Sequence, residues 1–343
     1  MKITEARIWI WLVASVALCC GDTKETRLQR FLIQSNILIE HHEIEQAEHY
    51  LREAIKLDSC FADAWNNLGT LFFNQKKYPE ALEQYNQAIE CKPDYIAAYF
   101  NRANTQYELK AYYAALNDID KILQARPDTA TAYFSRGLIY SKLREFDKSL
   151  EAFRMGLALD KHNVEILVNI GTLYYYKKQY DSARIILEDA LGMNPQEPHI
   201  FNGLAMIEVV TKNYDKADSL LAKALELKPD DPYFLNNRGY ISLMKNELDK
   251  AIGDIDLSIS LDPYNAWAYR SKGLYYLMKG NATDAIRLLK HAEEMDPFVE
   301  NVYLYLGRAY LAAGDKVKAC QAFGKSFERL ELTEVELKKH CPQ

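Results

Sequence analysis

The sequence predicts an all-α protein, built as a solenoid of nine helical hairpins. Three observations predict this class: small residues recur at two fixed places of a 34-residue period, a bulky residue recurs at a third, and proline recurs near its end. The period runs without a gap from residue 28 to residue 333. Such regularity is typical of stacked copies of one unit that cannot bury its apolar face alone.

Each 34-residue line predicts two antiparallel helices. Places are counted from residue 28. The residues at the eighth and twentieth places are small in all nine repeats, which lets the two helices approach closely, and the residue at the fourth place is bulky. Proline at the thirty-second place of most lines ends the second helix, because proline cannot continue a helix. Lys161 replaces this proline in the fourth repeat, where we expect a local adjustment and not a break. The twentieth place holds Ala47, Ala81, Ala115, Ser149, Ala183, Ala217, Ala251, Ala285 and Ala319.

Residues 1–19 are predicted to be a signal peptide. Their apolar run, residues 8–18, is too short to span a bilayer but has the length of an export-signal core. The segment resembles a bacterial lipoprotein signal, in which a cysteine is acylated. We favour Cys20 over Cys19, because a small residue precedes it. An ordinary cleaved signal and an uncleaved anchor are the alternatives, and residues 20–27 would form a tether.

The repeat pattern resembles the tetratricopeptide repeat, a helix–turn–helix with a bulky residue, small residues and proline at these places. The resemblance covers residues 28–333 and implies a right-handed superhelical solenoid of nine units. The register continues into residues 334–343, where we expect a capping helix and a tail. Thr333 and Glu336 have the spacing of a capping box at the start of this helix.

In the tetratricopeptide family, the first helix of each repeat lines a concave surface that binds protein segments. The resemblance therefore implies a protein or peptide partner that contacts residues at the lining places. Aromatic anchors there suit an extended or helical peptide. Packing between neighbouring helices is the alternative role for many of these side chains. The expected groove residues are Phe100, Phe134, Tyr175, Tyr233, Tyr240, Trp267, Arg270 and Arg308.

Two aspartates lie among apolar residues of predicted second helices, Asp118 in repeat three and Asp254 in repeat seven. An unpaired buried carboxylate is costly, so we expect basic partners at the seventh place of the same repeat and of the next one. Two anion-binding or catalytic sites are the alternative to these structural ion pairs. The expected partners are Arg102 and Arg136 for Asp118, and Arg238 and Lys272 for Asp254.

Four cysteines remain after the leader, and the register places one pair near each end of the array. An exported chain meets an oxidising compartment, where disulfides persist. Antiparallel helices bring the ends that carry Cys60 and Cys91 to one edge, and the capping helix brings Cys341 toward Cys320. We therefore predict two disulfides, Cys60–Cys91 and Cys320–Cys341. Four unlinked thiols at small core places are the alternative.

Composition and motifs favour a binding protein without catalytic chemistry. The 343 residues carry 42 Lys and Arg against 48 Asp and Glu, which offers no positive excess for a nucleic-acid partner. The sequence has no G-x-S-x-G, phosphate-binding glycine loop or Cys-x-x-Cys motif. His42, Glu45 and His49 are the best metal candidates, but no fourth ligand is evident and we prefer an exposed polar turn. We expect no metal, no cofactor and no enzymatic activity.

These features together predict a non-catalytic protein–protein interaction scaffold at the bacterial cell envelope. The expected location is a membrane, through the lipid anchor, with the array facing the periplasm or the exterior. Secretion is the alternative location. The alternative function is an accessory or carrier subunit of an envelope enzyme complex, such as cell-wall or polysaccharide machinery.

Overall fold

The computed structural model describes residues 23–341, which form nineteen helices and contain no strand over that range. Cys19 and Cys20, the candidate acylation sites, lie outside the described residues. Helices α1–α18 pair into nine consecutive hairpins and α19 follows them, so the fold is an all-α repeat solenoid with a C-terminal capping helix. The first four hairpins are α1 Lys24–Glu40 and α2 Ile44–Leu57, α3 Ala62–Asn74 and α4 Tyr78–Cys91, α5 Ile96–Glu108 and α6 Tyr112–Ala125, and α7 Ala130–Lys142 and α8 Phe146–Leu159. The others are α9 Val164–Tyr176 and α10 Tyr180–Met193, α11 Pro198–Val210 and α12 Tyr214–Leu227, α13 Pro232–Met244 and α14 Leu248–Leu261, α15 Ala266–Met278 and α16 Ala282–Met295, and α17 Val302–Ala312 and α18 Lys316–Glu328, before α19 Glu334–His340.

The turn inside every hairpin has the same backbone conformation. One residue with positive φ ends the first helix at the fifteenth place of each repeat, which is a usual way for a helix to stop. Only the last two of these residues are glycines, Gly280 and Gly314. The others take the left-handed conformation with a side chain, and they are His42, Lys76, Lys110, Arg144, Lys178, Lys212 and Asn246.

The small eighth place accommodates a large side chain from the second helix of the same hairpin. A Cβ atom on Gly69 would lie 2.6 Å from the Tyr85 ring, and one on Gly307 would lie 2.5 Å from the Phe323 ring. Tyr85 and Phe323 both occupy the twenty-fourth place of their repeats, and both are buried. The residue at the eighth place is therefore small because the side chain at the twenty-fourth place fills the space beside it.

The chain divides into two compact units, with the boundary between Lys161 and His162. The first unit contains the hairpins of repeats one to four, and the second contains repeats five to nine with α19. The boundary coincides with the repeat junction at which Lys161 replaces proline. The sequence predicted only a local adjustment there and did not anticipate the division.

Repeat nine departs from the other repeats at its start. The first helices of repeats two to eight begin at the first place of the repeat, whereas α17 begins two residues later, at Val302. Asn301 has a left-handed backbone with φ of 61°, which asparagine tolerates better than most residues. Its backbone N–H donates a 2.8 Å hydrogen bond to Glu331 Oε1. The turn places Glu300 outside any helix.

Helix α19 packs on the last hairpin. Leu337 contacts the cluster that contains Phe323 and Leu332, and the His340 ring stacks on the Phe323 ring with a centroid distance of 4.8 Å. Thr333 and Glu336 form the capping box in which each side chain bonds the backbone of the other. Across residues 23–341, we find no helix that combines the length and the apolar character required to cross a bilayer.

Candidate functional site

The second unit contains a cavity of about 330 Å³, formed mainly by the first helices of repeats five to eight. Side chains at the second, fifth, sixth, ninth, twelfth and thirteenth places of these helices form most of its lining, because those places share one face of a helix. The aromatic lining residues are Tyr175, Tyr176, His199, Tyr233, Phe234 and Trp267. The main polar ones are Asn202, Asn237, Asp231 and Glu300.

The aromatic side chains are arranged around the cavity at different depths. Tyr175 packs edge-on against Tyr176, with ring centroids 5.9 Å apart, and His199 packs edge-on against Phe234 at 5.1 Å. Phe234 is buried, whereas Tyr233 keeps 49% of its surface exposed. The cavity therefore combines a packed aromatic wall with an aromatic side chain that is accessible to a partner.

Two asparagines supply hydrogen-bonding groups in this wall. Asn237 Nδ2 donates a 2.8 Å hydrogen bond to Asn202 Oδ1, and Asn236 Nδ2 donates to Asn237 Oδ1 at 3.1 Å. Asp231 serves the fold, because its carboxylate accepts hydrogen bonds from the backbone N–H groups of Tyr233 and Phe234 at the start of α13. It is also paired with Lys228.

Glu300 closes the cavity from the far end of the unit. The Tyr175 hydroxyl donates a 3.3 Å hydrogen bond to Glu300 Oε2, although the two residues are 125 positions apart. Burial raises the pKa of Tyr175 well above its ordinary value, and the neighbouring Glu300 carboxylate raises it further. Burial and Glu300 also raise the pKa of Tyr180. These tyrosines remain neutral donors at physiological pH.

The structure places the expected groove residues in different environments. Tyr175, Tyr233 and Trp267 line the cavity. Arg308 is exposed, and its guanidinium carbon lies 6.0 Å from the Tyr305 ring centroid. The expectation of surface contact is wrong for Tyr240 and Arg270, which are 7% and 2% exposed.

Tyr240 and Arg270 are buried because the first helices of repeats seven, eight and nine pack against one another. The Arg270 guanidinium carbon lies 4.1 Å from the Tyr240 ring centroid and 5.4 Å from the Trp267 ring centroid. The hydroxyls of Tyr240 and Tyr305 share a 2.9 Å hydrogen bond. These contacts make Arg270 a packing residue that supports the cavity from behind Trp267.

Phe100 and Phe134 belong to the first unit and take part in packing between its helices. Phe100 contacts the core cluster of repeats three and four, and the Phe134 ring lies 5.9 Å from the Phe153 ring. Both side chains are half-buried. Here the alternative role, packing between neighbouring helices, describes the observed contacts.

Both predicted aspartates, buried Asp118 and largely buried Asp254, pair with the base of their own repeat. Arg102 binds both carboxylate oxygens of Asp118 at 2.6 and 2.8 Å, and Arg238 binds Asp254 in the same bidentate way at 2.6 and 2.7 Å. Arg102 also donates to Asn86 at 2.9 Å. These short contacts are charge-assisted hydrogen bonds between side chains that face each other across one hairpin.

The bases of the following repeats take other partners than expected. Arg136 pairs with Asp120 at 3.4 Å, and Lys272 pairs with Asp256 at 2.8 Å. The expected contacts of Arg136 with Asp118 and of Lys272 with Asp254 are therefore wrong. The reason is geometric: residues two apart on a helix point in different directions, so the second aspartate of each "DID" sequence faces the next repeat.

The structure joins the four cysteines in two disulfides. Cys60 is bonded to Cys91 with a Cα–Cα distance of 5.1 Å, and Cys320 is bonded to Cys341 with a Cα–Cα distance of 5.6 Å. Both distances lie in the usual range for a disulfide. The first bond joins the turn before repeat two to the end of that repeat, and the second fastens α19 to α18.

Sequence reasoning missed a buried carboxylate in repeat six. Glu208 is 3% exposed and accepts ion pairs from Arg184 and Lys216, each at 2.7 Å. Burial disfavours its charged form, but the bonds from Lys216 and Arg184 outweigh burial and lower its pKa. The available signal was an acid inside the apolar stretch "LAMIEVV".

Glu300 was missed for a different reason. The repeat register assigns it to the start of a helix, where acidic residues are common and carry no special information. As for metals, the described residues contain no group of three or more His, Cys, Asp or Glu that could hold an ion. His42, the first of the three candidate ligands, lies in the turn between α1 and α2 with φ of 60°.

Comparison with known families identifies the repeat. Models of the tetratricopeptide repeat match residues 50–83 and 176–236, and a TPR-repeat model matches residues 69–110. A further tetratricopeptide-repeat model covers more than half of the chain in three stretches, residues 97–164, 212–266 and 270–328. No curated protein gave a match.

Two solved structures are reported as similar to this chain. The APC/C hetero-tetramer Cut9–Hcn1 is 16% identical, with a TM-score of 0.60, over 93% of this chain and 64% of that chain. A tetratricopeptide repeat protein from Parabacteroides merdae is 21% identical, with a TM-score of 0.45, over 83% of this chain and 99% of that chain. The likeness to Cut9–Hcn1 concerns the fold alone. Because one family model covers more than half of the residues and the nine hairpins follow its period, the chain belongs to the tetratricopeptide-repeat family.

Proposed function

We propose that this chain is a non-catalytic scaffold of the bacterial cell envelope that binds a protein segment in the cavity of its second unit. The repeat fold is a scaffold for protein–protein interaction, and the finer statement rests on the cavity. One observation carries it: half-exposed Tyr233 and Trp267 stand beside hydrogen-bonding amides in a concave site. Large aromatic side chains with a few polar groups are typical of binding sites and of interface hot spots.

The envelope location rests on the leader and agrees with the cysteines. An apolar export-type segment precedes two cysteines, and the remaining four cysteines are disulfide-bonded. Disulfides persist mainly in oxidising compartments outside the cytosol. These two features support export independently of each other.

The binding proposal can be tested by photo-crosslinking in cells. A photoreactive phenylalanine analogue at Tyr233 should form a discrete crosslink with one envelope protein. The matched control is the same analogue at Tyr264, which is 84% exposed and lies outside the cavity. Trp267→Ala should weaken the crosslink from position 233, because it removes part of the same wall. Equal crosslinking from both positions would contradict a binding site in the cavity.

A further inference from the structure

Among the residues that the structure describes, the Glu300 carboxylate has no basic partner. Within the part of the chain that the structure describes, no Lys, Arg or His forms an ion pair with it, and its one hydrogen bond comes from the neutral Tyr175 hydroxyl. Three other carboxylates of the chain do have a basic partner. Asp118, Glu208 and Asp254 each pair with a base at 2.6 to 2.7 Å. A half-buried carboxylate without a cation retains its attraction for one.

The turn that carries Glu300 is a departure from the repeat. In repeats two to eight, the equivalent first-place residue starts a helix, whereas Glu300 precedes α17 by two residues. The left-handed Asn301 and its hydrogen bond to Glu331 fix this turn. Departures from a regular pattern are expected where a chain carries function. The consequence here is a carboxylate at the edge of an aromatic cavity.

The rest of the cavity wall suits a cation. No Lys or Arg is among the described residues that line it, and its two acids are Asp231 and Glu300. Asp231 already binds Lys228 and two backbone N–H groups, so Glu300 supplies the unused charge. The faces of tyrosine and tryptophan rings carry negative electrostatic potential and attract ammonium and guanidinium groups.

Arg270 lies near the cavity and does not neutralise Glu300. It is 2% exposed, it does not line the cavity, and it forms no ion pair with Glu300 among the described residues. Its guanidinium stacks on Tyr240 instead. This contact lies behind Trp267 and shows that an aromatic side chain next to the cavity already holds one guanidinium group from within the protein.

We propose that the cavity binds the ammonium or guanidinium group of a lysine or arginine side chain in the partner segment. This inference rests on the proposed function, which it deepens by assigning the chemistry of the partner. Glu300 would pair with the cation, the aromatic wall would surround its apolar stem, and the amide N–H groups of Asn202 would donate to the backbone of the segment. The cavity volume of about 330 Å³ is ample for one such side chain.

The test uses blocked amino acids as probes for binding to the protein. Binding of N-acetyl-arginine methylamide and of its neutral isostere, N-acetyl-citrulline methylamide, is followed by ligand-detected NMR titration. We expect the arginine probe to bind about tenfold more tightly than the citrulline probe, as one cation contact of this kind typically provides. Equal binding of the two probes would overturn the proposal without requiring any variant.

Two variants assign the effect to Glu300. Glu300→Gln should remove most of the tenfold preference, and the control Glu294→Gln, an exposed acid outside the cavity, should retain it. A preference that survives in Glu300→Gln would exclude Glu300 as the recognising group. Tetramethylammonium is the third probe, and if it binds as tightly as the arginine probe, the site selects a free organic cation and not a protein side chain. A crosslink at Tyr233 without cation preference would leave the proposed function standing and reject this inference alone.

Discussion

Asp118 and Asp120 are two residues apart on α6, and each pairs with an arginine, but their surroundings differ. The Asp118 side chain is 1% exposed and is held by two of the three guanidinium nitrogens of Arg102, whereas the Asp120 side chain is 52% exposed. A buried carboxylate loses its hydration and depends on its partner, while an exposed one exchanges its partner for water. The same chemical pair therefore stabilises the fold to different extents.

Replacement of Asp118 should test this difference. Asp118→Ala leaves Arg102 largely buried without its counterion and should lower the free energy of unfolding by about 3–5 kcal/mol. The control Asp120→Ala breaks an exposed pair and should cost about 1 kcal/mol or less. Urea denaturation followed by circular dichroism measures both. Similar losses in the two variants would show that burial does not govern these pairs.

The sequence could predict half of this arrangement. The buried aspartate and the base of its own repeat face each other across one hairpin, and a single repeat register contains that information. The partners of Arg136 and Lys272 required knowledge of how neighbouring repeats are rotated, which the register does not contain. The second aspartate of each "DID" sequence, Asp120 or Asp256, was the signal for them.

At the scale of elements, helix positions followed from the sequence except at the start of repeat nine. Small, bulky and proline places fix two helices per repeat because they determine which residues touch and where a helix must stop. The delayed start of α17 depends on the bond from the Asn301 backbone to Glu331, thirty residues away. A contact over that distance leaves no mark in local periodicity, and therefore Glu300 could not be assigned to the cavity.

The contribution of the Cys320–Cys341 disulfide to holding the capping helix can be tested. Helix α19 has seven residues, too few to be stable alone, and it is held by Leu337, by the His340–Phe323 stack and by the Cys320–Cys341 disulfide. Replacing both of these cysteines by serine should increase hydrogen exchange across α19, because the bond no longer restrains it.

The matched control for the capping helix is the pair Cys60→Ser and Cys91→Ser, which removes the other disulfide. Its α19 should exchange as in the parent protein, since that bond lies in repeat two. Mass spectrometry of the exchanged peptides measures the effect. Unchanged protection of α19 in the first double variant would mean that packing alone holds it.

At the scale of the whole molecule, the anchor proposal predicts where the protein is found. The mature protein should partition with membranes, and a variant with serine at both Cys19 and Cys20 should appear in the soluble exported fraction. A single acyl chain binds membranes only marginally, so stable anchoring requires the several chains of a lipoprotein. Fractionation with antibody detection measures this. Continued membrane association of the double variant would contradict the lipid anchor.

The environment of the groove residues depends on how the repeats of the second unit pack together. Tyr240 and Arg270 occupy places that line the groove in other repeats. They are nevertheless buried, because repeats seven, eight and nine pack together around them and Tyr305 contacts Tyr240. The sequence could identify which residues face inward but not which inward residues a later repeat covers. The exposed cavity residues and the buried residues behind them occupy the same places of the repeat, so the packing of the unit decides which of them a partner can reach.

The bond between Lys178 and the end of α18 has a consequence for folding. Lys178 Nζ donates hydrogen bonds to the carbonyl oxygens of Arg329 and Leu330, at 3.3 and 2.7 Å, across 151 and 152 positions of the chain. Repeat arrays with contacts between neighbours alone can unravel one repeat at a time from either end. Together with Tyr175–Glu300, this contact connects repeat five to repeat nine, so fraying of the last hairpin would also break these contacts of the fifth. The second unit is thereby constrained to unfold cooperatively, and its cavity exists only while both ends of that unit are in place.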